Sequence, residues 1–394
     1  MQSKQLKRES RIRQVIQMMA IPGKSGEEKE IANYITNQLI RAGADRRSIK
    51  TDTAHRRTVI KGNCGNLIFK MPGTYRAPRR MLSAHMDTVP ICVGCQPVRK
   101  GMMVTSKDPA TGLGADNRAG CGVILSAAQE ILKNKLPHPP LTFAWFVQEE
   151  VGLQGSRHMT QRVLNNPQLA FNWDGGSATK MTVGATGGYR MQIIVHGIAS
   201  HAGVAPQRGV SAIAIASLAI VDLHRIGWHG QVQKGQNKGT SNVGVIQGGA
   251  ATNVVTDRVV VRVEARSHSR RFRERIVREI ERAFNRAIKQ VKNDNRKKGM
   301  VEISGHLDYE AFVLSKKEPC VRIARNVIQS KGDEPVFAVA DGGLDANWIT
   351  DYGIPAVSMG SGQLNARMLS ESLDLKQYLI ACEIGLSIAT GDAG

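Results

Sequence analysis

Four short apolar segments, alternating with longer segments of helical periodicity, limit the folds open to this chain more than any other feature. Continuous apolar runs of this length are typical of strands buried on both faces of a sheet. The segments between them repeat apolar residues every three to four positions, as amphipathic helices do. The apolar runs are 66–69, 81–84, 141–147 and 170–173, and the helical segments include 12–19, 31–39 and 117–132. We therefore predict an α/β domain with a mixed sheet flanked by helices.

The pattern changes after Gly187 and returns near residue 313. Between these points an alternating strand is followed by an Ala-rich helix, a pair of strands and a long basic helix at 270–291. This order indicates a small α+β unit inserted into the first domain. We predict that residues 1–187 and 313–394 form the main domain and that residues 188–312 form the insertion.

Acidic residues and a histidine lie where the predicted strands end. They are His85 and Asp87 after strand 81–84, Glu149 and Glu150 after strand 141–147, Asp174 after strand 170–173, and Asp116 before the helix at 117–132. Each residue alone is commonly a surface or turn residue. Because ligands of α/β sheets collect at the carboxyl ends of strands, the whole set predicts one site. So many carboxylates would repel one another without a cation, and we therefore predict a divalent metal ion.

The residue types narrow the chemistry of this site. Imidazole and carboxylate ligands without cysteine favour zinc, with manganese or cobalt as alternatives. Asp87 follows His85 by two residues, so it can accept the proton of the ring nitrogen that faces away from the metal. Glu149 and Glu150 face different ways in an extended chain. One of them can bind metal while the other accepts a proton as a general base.

Six motifs resemble those of the zinc metallopeptidases of the peptidase T and carboxypeptidase G type, and the tripeptidase branch is the most similar. They are 84–90 (AHMDTVP), 114–117 (GADN), 148–152 (QEEVG), 173–176 (WDGG), 197–203 (GIASHAG) and 341–347 (DGGLDAN). The resemblance implies a metallo-aminopeptidase that cleaves short peptides. It also implies a catalytic domain interrupted by a lid that forms a homodimer contact, which matches the insertion.

The resemblance implies a metal role for four residues. In the family, the residues that correspond to His85 and Asp174 hold one zinc ion, Asp116 bridges, and Glu150 holds the second ion. The family closes this second site with a histidine near the C-terminus. In this chain that position is occupied by Arg367.

Further roles follow from the same resemblance. Glu149 matches the general base, and Asp87 matches the acid that orients the metal-binding histidine. His201 matches a lid histidine that reaches the substrate carbonyl, often across the dimer, where it stabilises the oxyanion. Asn253 and Arg266 resemble the lid contacts for the substrate carboxylate.

Arg367 leaves two outcomes open, because arginine stays protonated and does not bind zinc, and no histidine follows His306. In the first, Arg367 pairs with Glu150 or Asp116, and the chain hydrolyses peptides with one zinc ion. In the second, hydrolysis is lost and the fold serves binding. We favour the first. Deacylase or carboxypeptidase action remains an alternative, since the same metal chemistry serves any amide.

The charge of the chain raises a different class of function. There are 54 Lys and Arg against 33 Asp and Glu, which gives a net charge of +21, and residues 257–300 hold 15 basic against 6 acidic residues. A basic helix of this kind can bind nucleic acid. Because no aromatic platform or known nucleic-acid-binding motif interleaves with these charges, we favour a solvated lid surface instead. The chain has no apolar run of about 18 residues, and its six cysteines are too sparse for a disulfide framework, so we expect a cytoplasmic protein with reduced thiols and no membrane partner.

Overall fold

The computed structural model describes residues 2–391, with side chains from residue 5 onward. The chain forms two compact units. The first comprises the residues up to Gly184, Val313–Ala340 and the residues from Leu344; the second comprises Ala185–Phe312 and Asp341–Gly343. The predicted boundaries differ from these at residues 185–187 and 341–343, which the sequence pattern assigns to the main domain and the contacts assign to the second unit.

Helices and strands alternate along most of the chain. The helices are α1 (Gln2–Ala20), α2 (Lys29–Arg41), α3 (Ala115–Asn134), α4 (Gln154–Arg157), α5 (Gln161–Leu164), α6 (Ala212–Arg225), α7 (Arg270–Gln290), α8 (Pro319–Ser330), α9 (Ala346–Asp351) and α10 (Leu375–Thr390). The strands are β1 (Ile49–Thr51), β2 (Leu67–Met71), β3 (Arg80–His85), β4 (Pro97–Lys100), β5 (Met103–Ser106), β6 (Leu141–Phe146), β7 (Leu169–Trp173), β8 (Lys180–Ala185), β9 (Gly187–His196), β10 (Gly230–Lys234), β11 (Asn237–Gly248), β12 (Arg258–Ser267), β13 (Met300–Tyr309), β14 (Phe312–Val313), β15 (Val336–Ala340), β16 (Ala356–Met359), β17 (Gln363–Leu364) and β18 (Ser372–Asp374).

The first unit is built on a mixed sheet, which confirms the predicted fold class. Its strand order is β1-β2-β6-β3-β7-β16-β8-β14, with β15 paired to β8. Strands β6, β3, β7 and β16 are parallel neighbours, whereas β2 runs antiparallel to β6 and β8 runs antiparallel to β16. Every residue of β6 and β7 is buried, as expected for apolar strands covered on both faces. The four parallel strands therefore end at one edge of the sheet.

A small antiparallel sheet lies elsewhere in the first unit. Its strand order is β17-β18-β5-β4. Strands β17 and β18 form a short hairpin, in which Gln363 pairs with Leu373 and Leu364 with Ser372. This hairpin closes the loop 365–371, which contains Arg367.

The second unit is an antiparallel sheet with strand order β10-β11-β12-β9-β13 and the helices α6 and α7. Alternate residues of β9 and β12, such as Ile193 and Val261, join a core with Ile215 of α6 and Ile280 of α7. The intervening residues leave a polar sheet face. This arrangement follows from the period-2 pattern of the strands and the 3.6-residue pattern of the helices.

Two further sequence expectations concern the chain as a whole. All six cysteines are free, and five of them are buried. Among residues 2–391, none of the helices combines the length and the apolar character that crossing a bilayer requires.

Candidate active site

The carboxyl ends of the parallel strands bring the predicted site residues of the first unit together. His85 is the last residue of β3, Asp174 follows β7 directly, and Glu149 and Glu150 follow β6. Asp116 lies at the start of α3, whose N-cap is Gly114 in the left-handed conformation (φ 76°). The sheet order thus accounts for the convergence of segments that are far apart in the sequence.

The imidazole of His85 is the centre of this group. It is completely buried, and its Nε2 lies 3.2 Å from Asp116 Oδ1, 3.9 Å from Glu149 Oε2 and 3.9 Å from Asp174 Oδ2. Among the described residues this Nε2 has no hydrogen-bond partner. A buried ring nitrogen that faces three carboxylates without a hydrogen bond is in the position of a metal ligand.

The pKa values in the site reflect an excess of negative charge. Burial and the neighbouring Asp116 raise the pKa of Asp174 to about 6, and the same two causes raise the pKa of Glu150 to about 8. Burial lowers the pKa of His85, but the carboxylates, with Glu149 foremost, raise it well above its ordinary value. The cluster therefore favours an added cation.

Asp87 fixes the geometry around His85. Its Oδ1 lies 3.3 Å from His85 Nδ1 and accepts the backbone N–H of Glu149 at 2.9 Å. Its Oδ2 accepts the backbone N–H of Glu150 at 3.1 Å and the hydroxyl of Ser25 at 2.6 Å. One carboxylate thus faces the histidine ring and holds both glutamates in place. The hydrogen-bond contact of His85 Nδ1, at 3.1 Å, is with the backbone carbonyl of Asp87, so the orienting role of the Asp87 carboxylate remains a prediction.

Two buried residues of the site were not recognised from the sequence. Gln363 Nε2 donates to Asp174 Oδ1 at 3.1 Å and to Asp116 Oδ1 at 3.3 Å. Glu371 accepts the backbone N–H groups of Leu113, Gly114 and Asp116 at 3.0, 2.7 and 2.9 Å. Neither residue follows an apolar run or belongs to a segment with helical periodicity. The only indication in the sequence that they belong to the site is that each lies four residues from Arg367.

Arg367 lies among the carboxylates. Its Nε is 2.6 Å from Glu150 Oε2 and 3.6 Å from Asp116 Oδ2, and an Nη atom is 3.4 Å from Glu149 Oε2. Burial lowers the pKa of this guanidinium, but Glu150 and Glu149 raise it above its usual value, so the group remains charged. The sequence left two outcomes open, and the first of them included an ion pair of Arg367 with Glu150 or Asp116. The structure contains this ion pair.

The three predicted substrate residues, His201, Asn253 and Arg266, lie in the second unit. The backbone N–H of Ala202 donates to Asn253 O at 2.9 Å, so His201 and Asn253 lie on neighbouring segments. Arg266, on β12, donates through Nε and an Nη atom to the two carboxylate oxygens of Glu264, each at 3.1 Å. Their roles remain predictions.

The donor set of the first unit fits one divalent ion. Ligand atoms of His85, Asp116 and Asp174 lie within 4.8 Å of one another, and those of His85, Glu149 and Glu150 form an overlapping group. An imidazole and carboxylates suit zinc, manganese or cobalt. Glu150, in contrast, already has a cationic partner in Arg367.

Comparison with known proteins agrees with this geometry. The profile of Peptidase family M20/M25/M40 matches residues 81–390. The chain belongs to this peptidase family. The match confirms the family resemblance of the six sequence motifs, and it includes all the strands that end at the site.

Solved structures of three peptidases share the fold over nearly the whole chain. A tripeptidase from Staphylococcus aureus subsp. aureus Mu50 is 28% identical with a TM-score of 0.87, and each chain is covered to 98%. Aminopeptidase PepT from Bacillus cereus ATCC 10987 is 27% identical with a TM-score of 0.84, with 97% of this chain and 98% of that chain covered. Bacillus subtilis YXEP, a dinuclear metal-binding peptidase, is 16% identical with a TM-score of 0.72 and 98% of both chains covered, a similarity of fold alone.

Proposed function

We propose that this M20 peptidase is a metal-dependent aminopeptidase for short peptides, with Glu149 as its general base. The observation that carries the proposal is the buried His85 Nε2, which faces three carboxylates and makes no hydrogen bond to any described residue. His85, Asp116 and Asp174 would hold the ion. When bound, a divalent ion would polarise the scissile carbonyl and make the attacking water more acidic.

Glu149 is placed to accept a proton from that water. The residue is only 3% exposed, and its Oε2 lies 3.9 Å from His85 Nε2, beside the predicted ion position. The Asp87 carboxylate holds its backbone N–H at 2.9 Å. A general base must stay within reach of its proton through the reaction, and this fixed backbone supplies that restraint.

His201 suits the role of a hydrogen-bond donor to the substrate carbonyl. Its Nδ1 accepts the backbone N–H groups of Gly203 and Val204, both at 3.2 Å. In the neutral ring the proton is therefore on Nε2, which is free to donate because the side chain is exposed. We assign Asn253 and Arg266 to the substrate carboxylate.

The choice of aminopeptidase rests on the two neighbours of 27–28% identity, a tripeptidase and an aminopeptidase. The test uses one tripeptide in three forms: free, N-acetylated and C-amidated. The enzyme, loaded in turn with zinc, manganese or cobalt, is expected to cleave the free form and to leave the N-acetylated form intact. It should cleave the C-amidated form with a higher KM, because that form lacks the carboxylate assigned to Asn253 and Arg266. Cleavage of the free and N-acetylated forms but not of the C-amidated form would instead identify a carboxypeptidase, and release of acetate from the N-acetylated form alone would identify a deacylase.

The same panel tests retained activity. If no loaded form cleaves any di- or tripeptide, and Arg367→His restores cleavage, the chain is an impaired family member that serves binding. Glu149→Gln is the matched control for the assay, because it removes the base and leaves the three ligands of the ion in place.

We also propose a homodimer formed through the second unit. Strand β10 pairs only with residues 237–241 of β11, so among the described residues the outer edge of β11 beyond 241 has no partner strand. In the same unit, α6 exposes Ile213 (44%) and Val221 (51%). An open strand edge and exposed apolar side chains each favour pairing with a second copy. Light scattering after gel filtration should give a dimer for the wild type and a monomer for Ile213→Glu/Val221→Glu, and a wild-type monomer would refute the proposal.

We place the protein in the cytoplasm. Its six free thiols, five of them buried, suit a reducing compartment. Fractionation of cells that express the full chain should recover it with cytoplasmic markers, and recovery with the membrane or secreted fraction would contradict this assignment.

A further inference from the structure

We propose that this chain binds one divalent ion instead of two, because the guanidinium of Arg367 takes the place of the second ion. This inference rests on the proposed metal dependence and concerns the same site. The dinuclear arrangement that the family resemblance implies does not fit the residues present in this chain.

The guanidinium lies on the side of the site where the second ion would bind. Its nitrogens lie 2.6 Å from Glu150 Oε2, 3.6 Å from Asp116 Oδ2 and 3.4 Å from Glu149 Oε2. Glu150 corresponds to the ligand of the second ion, and it forms the shortest of these contacts. The arginine has thus engaged the carboxylate on which a second ion would depend.

The two oxygens of Asp116 face different partners. Oδ1 lies 3.2 Å from His85 Nε2, on the side of the first ion, and Oδ2 lies 3.6 Å from Arg367 Nε. In the family the corresponding carboxylate bridges two metal ions. Here the same carboxylate lies between the first ion position and a guanidinium. A positive group therefore still lies on each side of Asp116, although only one of the two is a metal ion.

The chain holds Arg367 in this position. The hairpin of β17 and β18 closes the loop 365–371. Within this loop, Met368 N donates to Asn365 O at 3.2 Å, and Glu371 N donates to Met368 O at 3.0 Å. Glu371 is itself fixed by three backbone N–H groups of the segment that leads to Asp116. The loop that carries the guanidinium is therefore anchored at both ends.

The chemistry of the guanidinium also opposes a second ion. This group has no lone pair to offer a metal and remains charged in proteins, so it can neither complete a second coordination shell nor withdraw its charge. A second divalent ion would have to displace it from Glu150 and then lie beside it. With histidine at this position, a neutral nitrogen ligand would replace the positive charge.

The test counts metal ions in the purified full-length protein. After loading with manganese and removal of free metal, elemental analysis should find one ion per chain in the wild type and two in Arg367→His. The exposed Arg162 provides the matched control, and Arg162→His should remain at one. Electron paramagnetic resonance gives a second readout: isolated Mn²⁺ in the wild type, and a spin-coupled pair in Arg367→His, because Asp116 would then bridge two ions.

The outcomes separate this inference from the proposed function. Two ions in the wild type would overturn the inference and leave metal dependence intact, whereas none would refute metal dependence itself. A single ion in Arg367→His, with an unfolding midpoint equal to that of the wild type, would also overturn the inference. If Arg367→His does not fold, the number of manganese ions bound to the wild type and its electron paramagnetic resonance spectrum still test whether one ion or two are bound.

Discussion

Glu371 holds the segment that leads to Asp116, and its replacement by alanine is expected to destabilise the first unit and to weaken metal binding. The buried carboxylate accepts three backbone N–H groups, those of Leu113, Gly114 and Asp116. A buried donor left without an acceptor costs about 1–3 kcal/mol. A water molecule in the vacated space can accept two of the three bonds, which leaves one unpaired donor at about 1–3 kcal/mol. The altered packing around the shortened side chain adds about 1 kcal/mol, so the expected loss is about 2–4 kcal/mol.

Glu371→Gln separates the hydrogen bonds from the volume of the side chain. The carboxamide keeps one acceptor oxygen but turns an NH₂ group toward at least one backbone N–H, so a loss of about 1–3 kcal/mol is expected. The buried Trp145 and Trp173 report urea unfolding of this unit by fluorescence. A manganese titration of each variant measures the accompanying loss of metal affinity.

The exposed Glu334 supplies the control, since Glu334→Ala should change the free energy of unfolding by less than about 0.5 kcal/mol. The expected order of stability is wild type and Glu334→Ala, then Glu371→Gln, then Glu371→Ala. If Glu371→Ala unfolds at the same urea concentration as the control and binds manganese equally well, the three hydrogen bonds do not support the site, and this reasoning is wrong.

Other variants probe the base, the second unit and the packing of α3. Glu149→Gln should lower kcat by about 10²–10⁴-fold with an unchanged metal count, and full activity would exclude Glu149 as the base. Arg273→Met should cost the second unit about 3 kcal/mol in urea unfolding, because it removes the guanidinium that lies 2.6 Å from the Glu310 carboxylate. Burial raises the pKa of Glu310, but the stronger effect of Arg273 leaves this pKa below the ordinary value of 4.5. The ion pair therefore stabilises the wild type above about pH 4.5, and this contribution should be lost as the pH falls and Glu310 is protonated. The variant has no such ion pair, so its stability should fall less over the same range. Gly120→Ala should cost about 1–3 kcal/mol in the first unit, since the added methyl would overlap Trp173 O; a stable variant would show that α3 can shift away from β7.

The strand-end residues could be predicted from the sequence because local patterns carry the necessary information. Apolar runs mark the parallel strands, and the position directly after each run marks the edge of the sheet where side chains converge. The sequence therefore assigns His85 and Asp174 to one site, and in the structure His85 Nε2 lies 3.9 Å from Asp174 Oδ2. The same reasoning predicted the α+β insertion, because the pattern of apolar residues changes after Gly187 and returns near residue 313.

Contacts that depend on irregular segments could not be predicted in this way. Glu371 bonds with Asp116 across 255 residues, and the strands that frame its loop are only two and three residues long. Strands of this length are too short to show the alternation of apolar and polar residues by which a strand is recognised in a sequence. Helix α10 was also missed, because its sequence is apolar on nearly all faces and its residues are mostly buried, so it lacks the polar stripe that marks a surface helix.

The ion pair between Arg367 and Glu150 has a consequence for how the enzyme would respond to metal supply. A cation that is covalently part of the chain cannot dissociate, be chelated or be exchanged for a metal, so only one of the two cations of the site depends on the surroundings. Activity should then follow free metal concentration as a single-site saturation curve with a Hill coefficient of one. Such a peptidase would remain active at metal concentrations that leave the weaker site of a two-ion relative empty.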